Sequence, residues 1–127
     1  MFTPDKDFII SNILLDIKKC TYKECKLSFN LYERRDSQLV NVLQKPIYQT
    51  VQQSNKDFTL SIEPTDILWL KRGTEYYLSV SMVDSEGEGT LMLDASMKSG
   101  YFRKGLINGE IKKVPVCLAI AVKGNEL

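Results

Sequence analysis

Three kinds of side chain in this sequence could do chemistry: thiols, carboxylates and aromatic rings. Cys20 and Cys25 stand five apart in CTYKEC, and Cys117 lies far downstream. The chain contains no histidine. That removes the commonest general base and the usual partner of a serine or cysteine nucleophile. It also leaves any four-ligand zinc site to be completed by carboxylates, without the CxxC spacing of a zinc knuckle. The phosphate-cradling patterns GxGxxG and GxxxxGK[ST] are absent as well. The chain is therefore read as non-enzymatic, with no catalytic residue, cofactor or metal, and its thiols as reduced and structural. A Cys20–Cys25 disulfide across a tight turn would need an oxidising setting.

The most acidic short stretch is Asp84-Ser-Glu-Gly-Glu-Gly89. Closely spaced carboxylates invite calcium, but the DxDxDG spacing is missing, and a turn would scatter Asp84, Glu86 and Glu88. A plain loop is the simpler expectation. Among the rings, Trp69, Tyr101 and Phe102 could offer flat faces to a sugar. The competing expectation is that Trp69 packs over an end of the core, and that Tyr76 and Tyr77 open a strand with one ring inward and one outward.

The elements that must position these groups read as strands. In Lys26–Glu33, Leu27, Phe29 and Leu31 alternate with Ser28, Asn30 and Tyr32, the period of two that marks a half-buried strand. Phe58–Ile62 repeats the pattern with Phe58, Leu60 and Ile62 on the core face. Leu78, Val80 and Met82, then Leu91, Leu93 and Ala95, do the same on either side of the acidic break, so that break predicts a β-hairpin. Phe8–Ile17 suits a first strand, although IISNILLDI also has a helical reading. Leu39–Leu43 and Ile47–Val51 flank Pro46, which favours an edge or a break between sheets. Asp66 can cap a short helical crossover near residues 64–71, ended by Gly73. Asn108-Gly109 between apolar residues predicts a hairpin. Val114–Val122, apolar on both faces, suits a central or covered strand.

About seven to nine short strands with one short helical turn predict an all-β fold, an antiparallel β-sandwich, as a single domain over residues 1–127. Seventeen basic residues balance sixteen acidic ones, against the basic excess of a nucleic-acid binder. No run approaches the ~18 apolar residues of a membrane helix. The opening MFTPDKDFIISNILLDIKK places Asp5 and Asp7 where a signal peptide wants positive charge, so neither export nor membrane attachment is expected.

One block has a familiar order. DFTLSIEPTDILWLKRGTEYYLSVSMVDSEGEGTLML, residues 57–93, runs alternating strand, PTD turn, L-x-x-G-x-x-Y-Y entry, second strand, D-x-x-G and third strand. With Pro64, Thr65, Asp66, Leu70, Gly73, Tyr76, Tyr77, Val80, Val83, Asp84 and Gly87 at the matching positions, it resembles the Ig-like modules of bacteriophage tail and upper-baseplate proteins. Together with the strand and polar turn in KECKLSFNLYERRDSQLVN, the resemblance covers about half the chain. The last third runs past the point where such a module usually ends.

The resemblance implies an Ig-like sandwich and a structural or attachment role in a phage particle: head decoration, head fibre, or tail or baseplate component. It carries no catalytic residue. The expected partners are other virion proteins and further copies of the chain, with no nucleic acid and no membrane, and the expected location is the virion after synthesis in the host cytoplasm. Assembly is expected through exposed strand edges or through the C-terminal elements. The contact residues are Leu106, Ile107, Asn108, Gly109 and Ile111 of the hairpin, and Val116, Leu118, Ile120 and Val122 of the apolar strand. A carbohydrate- or ligand-binding module using Trp69, Tyr101 and Phe102 is the alternative.

Overall fold

A computed structural model describes residues 2–93, 95–97, 103–107, 110–114, 116–118 and 120–126, with side chains described for residues 2–93 and 122–124. The described residues form twelve strands and no helix. In chain order they are β1 (Phe8–Arg35), β2 (Gln38–Asn41), β3 (Ile47–Ser54), β4 (Phe58–Ile62), β5 (Trp69–Leu70), β6 (Tyr76–Glu86), β7 (Leu91–Leu93), β8 (Ala95–Met97), β9 (Arg103–Ile107), β10 (Glu110–Val114), β11 (Val116–Leu118) and β12 (Ile120–Glu126). All the pairings are antiparallel.

The organising element is β1, 28 residues long. The sequence reads it as two strands, Phe8–Ile17 and Lys26–Glu33; the structure joins them through Lys18–Cys25. Every other strand of the eight-stranded sheet pairs with β1. Residues bonded on both sides sort the partners by edge. Leu27 faces Gln49 and Met82, Ile17 faces Phe58 and Leu93, and Ile13 faces Ile62 and Val122. One edge of β1 therefore carries β2, β3, β4 and β5 in succession. The other carries β6, β7 and then β12.

A straight β1 cannot satisfy this register. Leu70 pairs with Phe8, whereas Tyr76 pairs with Glu33. The linker between Leu70 and Tyr76 can reach at most about 21 Å. An extended strand from Phe8 to Glu33 would span about 80 Å. The sheet must fold back so that the two ends of β1 approach each other. Direct bonds complete the closure: Gly73 N–H donates to Pro4 O at 3.0 Å, and Arg34 N–H to Glu75 O at 3.0 Å.

The turning point lies between Cys20 and Cys25. Against β3, Cys20 pairs with Ser54 and Glu24 with Gln52, so three residues of β1 face one of β3. On the opposite edge β6 ends at Glu86 and β7 begins at Leu91, with Gly87 at φ 81° in between. Such an extra-residue bulge bends a strand and steepens its twist. Folding back brings Ile13, Leu15 and Ile17 from one half of β1 into the same core as Leu27, Phe29 and Leu31 from the other. All six are buried.

Several expectations are corrected by this topology. The acidic break does not make a hairpin: β6 and β7 do not pair with each other but lie end to end along β1. Residues 64–71 hold no helix. The backbone there serves β1 instead, with Ile10 N–H donating to Leu68 O at 3.0 Å and Trp69 paired with Ile9. Tyr76 and Tyr77 are both buried, not one in and one out, because this corner is enclosed from two sides. Met82 keeps the register of Leu78 and Val80, opposite Leu27, but is 45% exposed where the register slips just beyond it, between Lys26 and Leu27.

Candidate functional site

Charge is unevenly spread along the folded sheet. Gln38–Ser54, QLVNVLQKPIYQTVQQS, contains one charged residue, Lys45, in a chain that is 26% charged. These residues form β2 and β3, and both pair with β1 along one edge only. Among the described residues no strand pairs with the other edge of either. Asp36, at φ 54°, makes the tight turn that starts this run; aspartate tolerates that left-handed conformation better than most residues.

Within β3, Val51 is buried, and Ile47 and Gln49 are half-buried on the same face, while Tyr48, Thr50 and Gln52 face outward. Lys26 Nζ lies 4.5 Å from the centre of the Tyr48 ring, a cation–π contact that occupies part of it. A hollow of about 360 Å³ opens between the loops on either side of Pro46 and Pro64, lined by Leu43, Tyr48, Asp66 and Leu68 among others. A shallower groove of about 500 Å³ runs along the bend and is lined by Glu24, Lys26, Thr50, Asp84 and Glu86.

Trp69 does not cap the core; it is 63% exposed. Strand alternation explains this. Leu68 and Leu70 are buried, so Ile67 and Trp69 point away from the core, and Ile67 is 72% exposed. Tyr101 and Phe102 lie outside the described residues. The rings proposed for stacking are therefore represented by Trp69 alone, which lines neither hollow.

The C-terminal residues fall into three groups. Leu106, Ile107 and Ile111 lie in β9 and β10, which pair with Glu110 opposite Ile107 and Ile111 opposite Leu106. Asn108 and Gly109, expected as the turn between them, lie outside the described residues. Val116 and Leu118 pair with Met97 and Ala95 in a separate two-stranded sheet. Ile120 and Val122 pair with Leu15 and Ile13 of β1, and Val122 packs against the core. The run Val114–Val122, expected as one strand, is divided among three sheets, with Val114 in β10, Val116–Leu118 in β11 and Ile120–Val122 in β12.

Two polar clusters are buried or half-buried. At the β1–β6 junction, Arg34 Nη1 donates to Glu75 Oε2 at 3.0 Å, and the Tyr77 hydroxyl donates to the same oxygen at 3.3 Å. The bond to Glu75, and then its charge, raise Arg34 above its ordinary value. Burial, followed by the Glu75 carboxylate, pushes the Tyr77 phenol up. At the bend, the Cys20 and Cys25 sulfurs lie 4.0 Å apart and both residues are buried. Among the described residues no group of three or more histidine, cysteine, aspartate or glutamate side chains could hold a metal. Asp84, Glu86 and Glu88 are exposed. Nor is any described helix long and apolar enough to cross a membrane.

The neutral run was present in the sequence as a gap between charges. Its meaning depends on knowing that one side of β2 and β3 is left over once β1 is paired. Comparison with family models, curated proteins and solved structures finds no match.

Proposed function

We propose that this chain is a non-enzymatic structural module that assembles through strand edges, and that it serves as an attachment or structural component of a phage particle with other virion proteins and further copies of itself as partners. The observation that carries the assembly reading is the β2–β3 edge. Edge strands that stay solitary are ordinarily blunted by charge, proline or a covering segment. Ile47–Ser54 contains no charge, no proline and no glycine over eight residues. Such an edge accepts another strand, whose main chain completes the ladder.

The folded-back sheet supports reading the domain as a two-layer, Ig-like sandwich, the two halves of β1 forming the backbones of the layers. The phage assignment rests on the resemblance carried by residues 57–93. In keeping with it, the module is read as having no nucleic-acid or membrane partner, and the virion as its place of action.

The test is solution mass by light scattering after size exclusion, from ~1 to ~100 μM, a range spanning modest interface affinities. The wild-type mass should rise to a defined oligomer. In antiparallel self-pairing about Thr50, that residue lies opposite its own copy, so T50K sets like charges face to face and should hold the chain monomeric. A wild-type chain that is monomeric throughout would refute self-assembly through this edge.

One observation favours ligand stacking as a second reading: the exposure of Trp69. Trp69 is the only tryptophan, so its fluorescence reports directly on anything stacked against it. Quenching or a blue shift on titration with a panel of neutral oligosaccharides would support that reading. An unchanged spectrum across the panel would end it.

A further inference from the structure

The assembly reading makes no use of the two buried thiols at the bend. Cys20 and Cys25 flank the segment on which the whole sheet turns back, one at the end of each half of β1. Their sulfurs are 4.0 Å apart, and the Cys20 thiol also lies 3.6 Å from Tyr22 O as a donor. A disulfide needs about 2.05 Å between sulfurs, so an approach of about 2 Å joins them. Side-chain rotation can supply much of it. The intervening residues, Thr21–Glu24, are exposed or half-buried, and Thr21–Lys23 sit in a bulge that is already out of register with β3.

We propose that Cys20 and Cys25 are a disulfide-forming pair that staples the bend of β1 when the protein passes from reducing to oxidising surroundings. The oxidant is a low-molecular-weight disulfide such as oxidised glutathione. One cysteine thiolate attacks it, forming a mixed disulfide and releasing one glutathione thiolate. The second cysteine thiolate attacks the protein-side sulfur and releases the other. The two thiols lose two protons and two electrons, and oxidised glutathione becomes two molecules of the reduced form.

Burial controls the rate. In the closed bend the Cys25 thiol is pushed up to about 11, first by burial and then by Cys20, so little thiolate is present at neutral pH. Exchange therefore proceeds through local opening of Thr21–Glu24, or during folding. Once formed, the bond is shielded by the same burial. The inference stands independently of what the β2–β3 edge binds.

The test uses the whole chain, both folded and refolded from urea, in buffers with a defined ratio of oxidised to reduced glutathione. Free thiols are trapped by alkylation, and the protein is digested with trypsin without reduction. Cleavage after Lys19, Lys23 and Lys26 separates Cys20 in CTYK from Cys25 in ECK. The expected product is CTYK joined to ECK with the loss of two hydrogens, accompanied by an upward shift of the urea midpoint relative to the reduced chain. If both thiols stay alkylatable in excess oxidised glutathione, before and after refolding, the proposal is overturned. Preferential linkage of either cysteine to Cys117 overturns it as well.

Discussion

Phe2 and Tyr76 are joined through both backbone and rings. Their peptide groups exchange two hydrogen bonds of 2.9 Å, one in each direction, and their rings stack with centroids 5.7 Å apart. The Tyr76 hydroxyl then accepts from Lys71 N–H at 2.8 Å. This contact ties the start of the chain to the entry of β6, where the two ends of β1 are brought together. Phe2→Ala should lower unfolding free energy by about 2 kcal/mol, from lost apolar burial and the lost ring pair. Tyr76→Phe keeps the rings and removes one acceptor, so about 1 kcal/mol is expected. Urea unfolding of the two variants measures both.

Glycine is required at two close approaches. A Cβ on Gly89 would lie 2.7 Å from Thr21 Oγ1 and 2.7 Å from Tyr22 N. A Cβ on Gly124 would run into Ile9 O and the Phe8 ring. Gly124→Ala forces backbone apart where β12 pairs with β1 beside a second register shift, between Ile10 and Asn12, and should cost about 3 kcal/mol or more. Gly73, with nothing within 4 Å but φ at 77°, should lose less on the same change, about 1 kcal/mol from backbone strain. Thermal melts should rank Gly124→Ala well below Gly73→Ala.

Stability should fall in alkali in a window set by Cys25. Its folded value of about 11 lies above its ordinary value of 9.0. The unfolded chain therefore loses this proton at lower pH than the folded one. The contribution is fully present below pH 9, declines as pH rises to about 11, and is lost beyond it. At 1.36 kcal/mol per unit, the two-unit difference is worth up to about 3 kcal/mol. Urea titrations at rising pH under reducing conditions should show this slope, and Cys25→Ala should flatten it. Tyr77 acts in the same direction at higher pH, and that part should persist in the variant.

The Arg34–Glu75 pair should matter less than its geometry suggests. Its side chains are 37% and 26% exposed, so solvent screening keeps its contribution small. Glu75→Gln should be mild, with an effect that shrinks in salt. Phe29→Ala, at a fully buried core position, should cost about 3–5 kcal/mol. Chemical denaturation in low and high salt separates the two cases.

Local periodicity carried much of the fold. Leu27, Phe29 and Leu31 alternate with their neighbours and are buried, and Phe58–Ile62 forms β4 with the bounds its pattern predicts. Errors arose where a residue's environment is set by distant chain. The two glycines of residues 84–89 look like a hairpin turn, but the flanking strands share β1 as a common neighbour instead of each other. Trp69 looks like a core cap until Leu68 and Leu70 are seen to take the inward positions. Tyr77 would face outward on a flat sheet and is buried on this one. The β2–β3 edge was invisible for the same reason: a missing charge signifies an open flank only once the partners of β1 are known.

The placement of β1 also bears on synthesis. It leaves the ribosome before every strand that bonds to it. Its first partners, β2 to β5, follow directly and line one flank. The other flank waits for β6 and β7, and for β12 behind them. At 5–20 residues per second, Leu93 emerges roughly 3–12 s after Arg35. During that interval the nascent chain presents an apolar, half-paired ribbon, an unpaired strand edge of the kind that makes folding intermediates prone to aggregate.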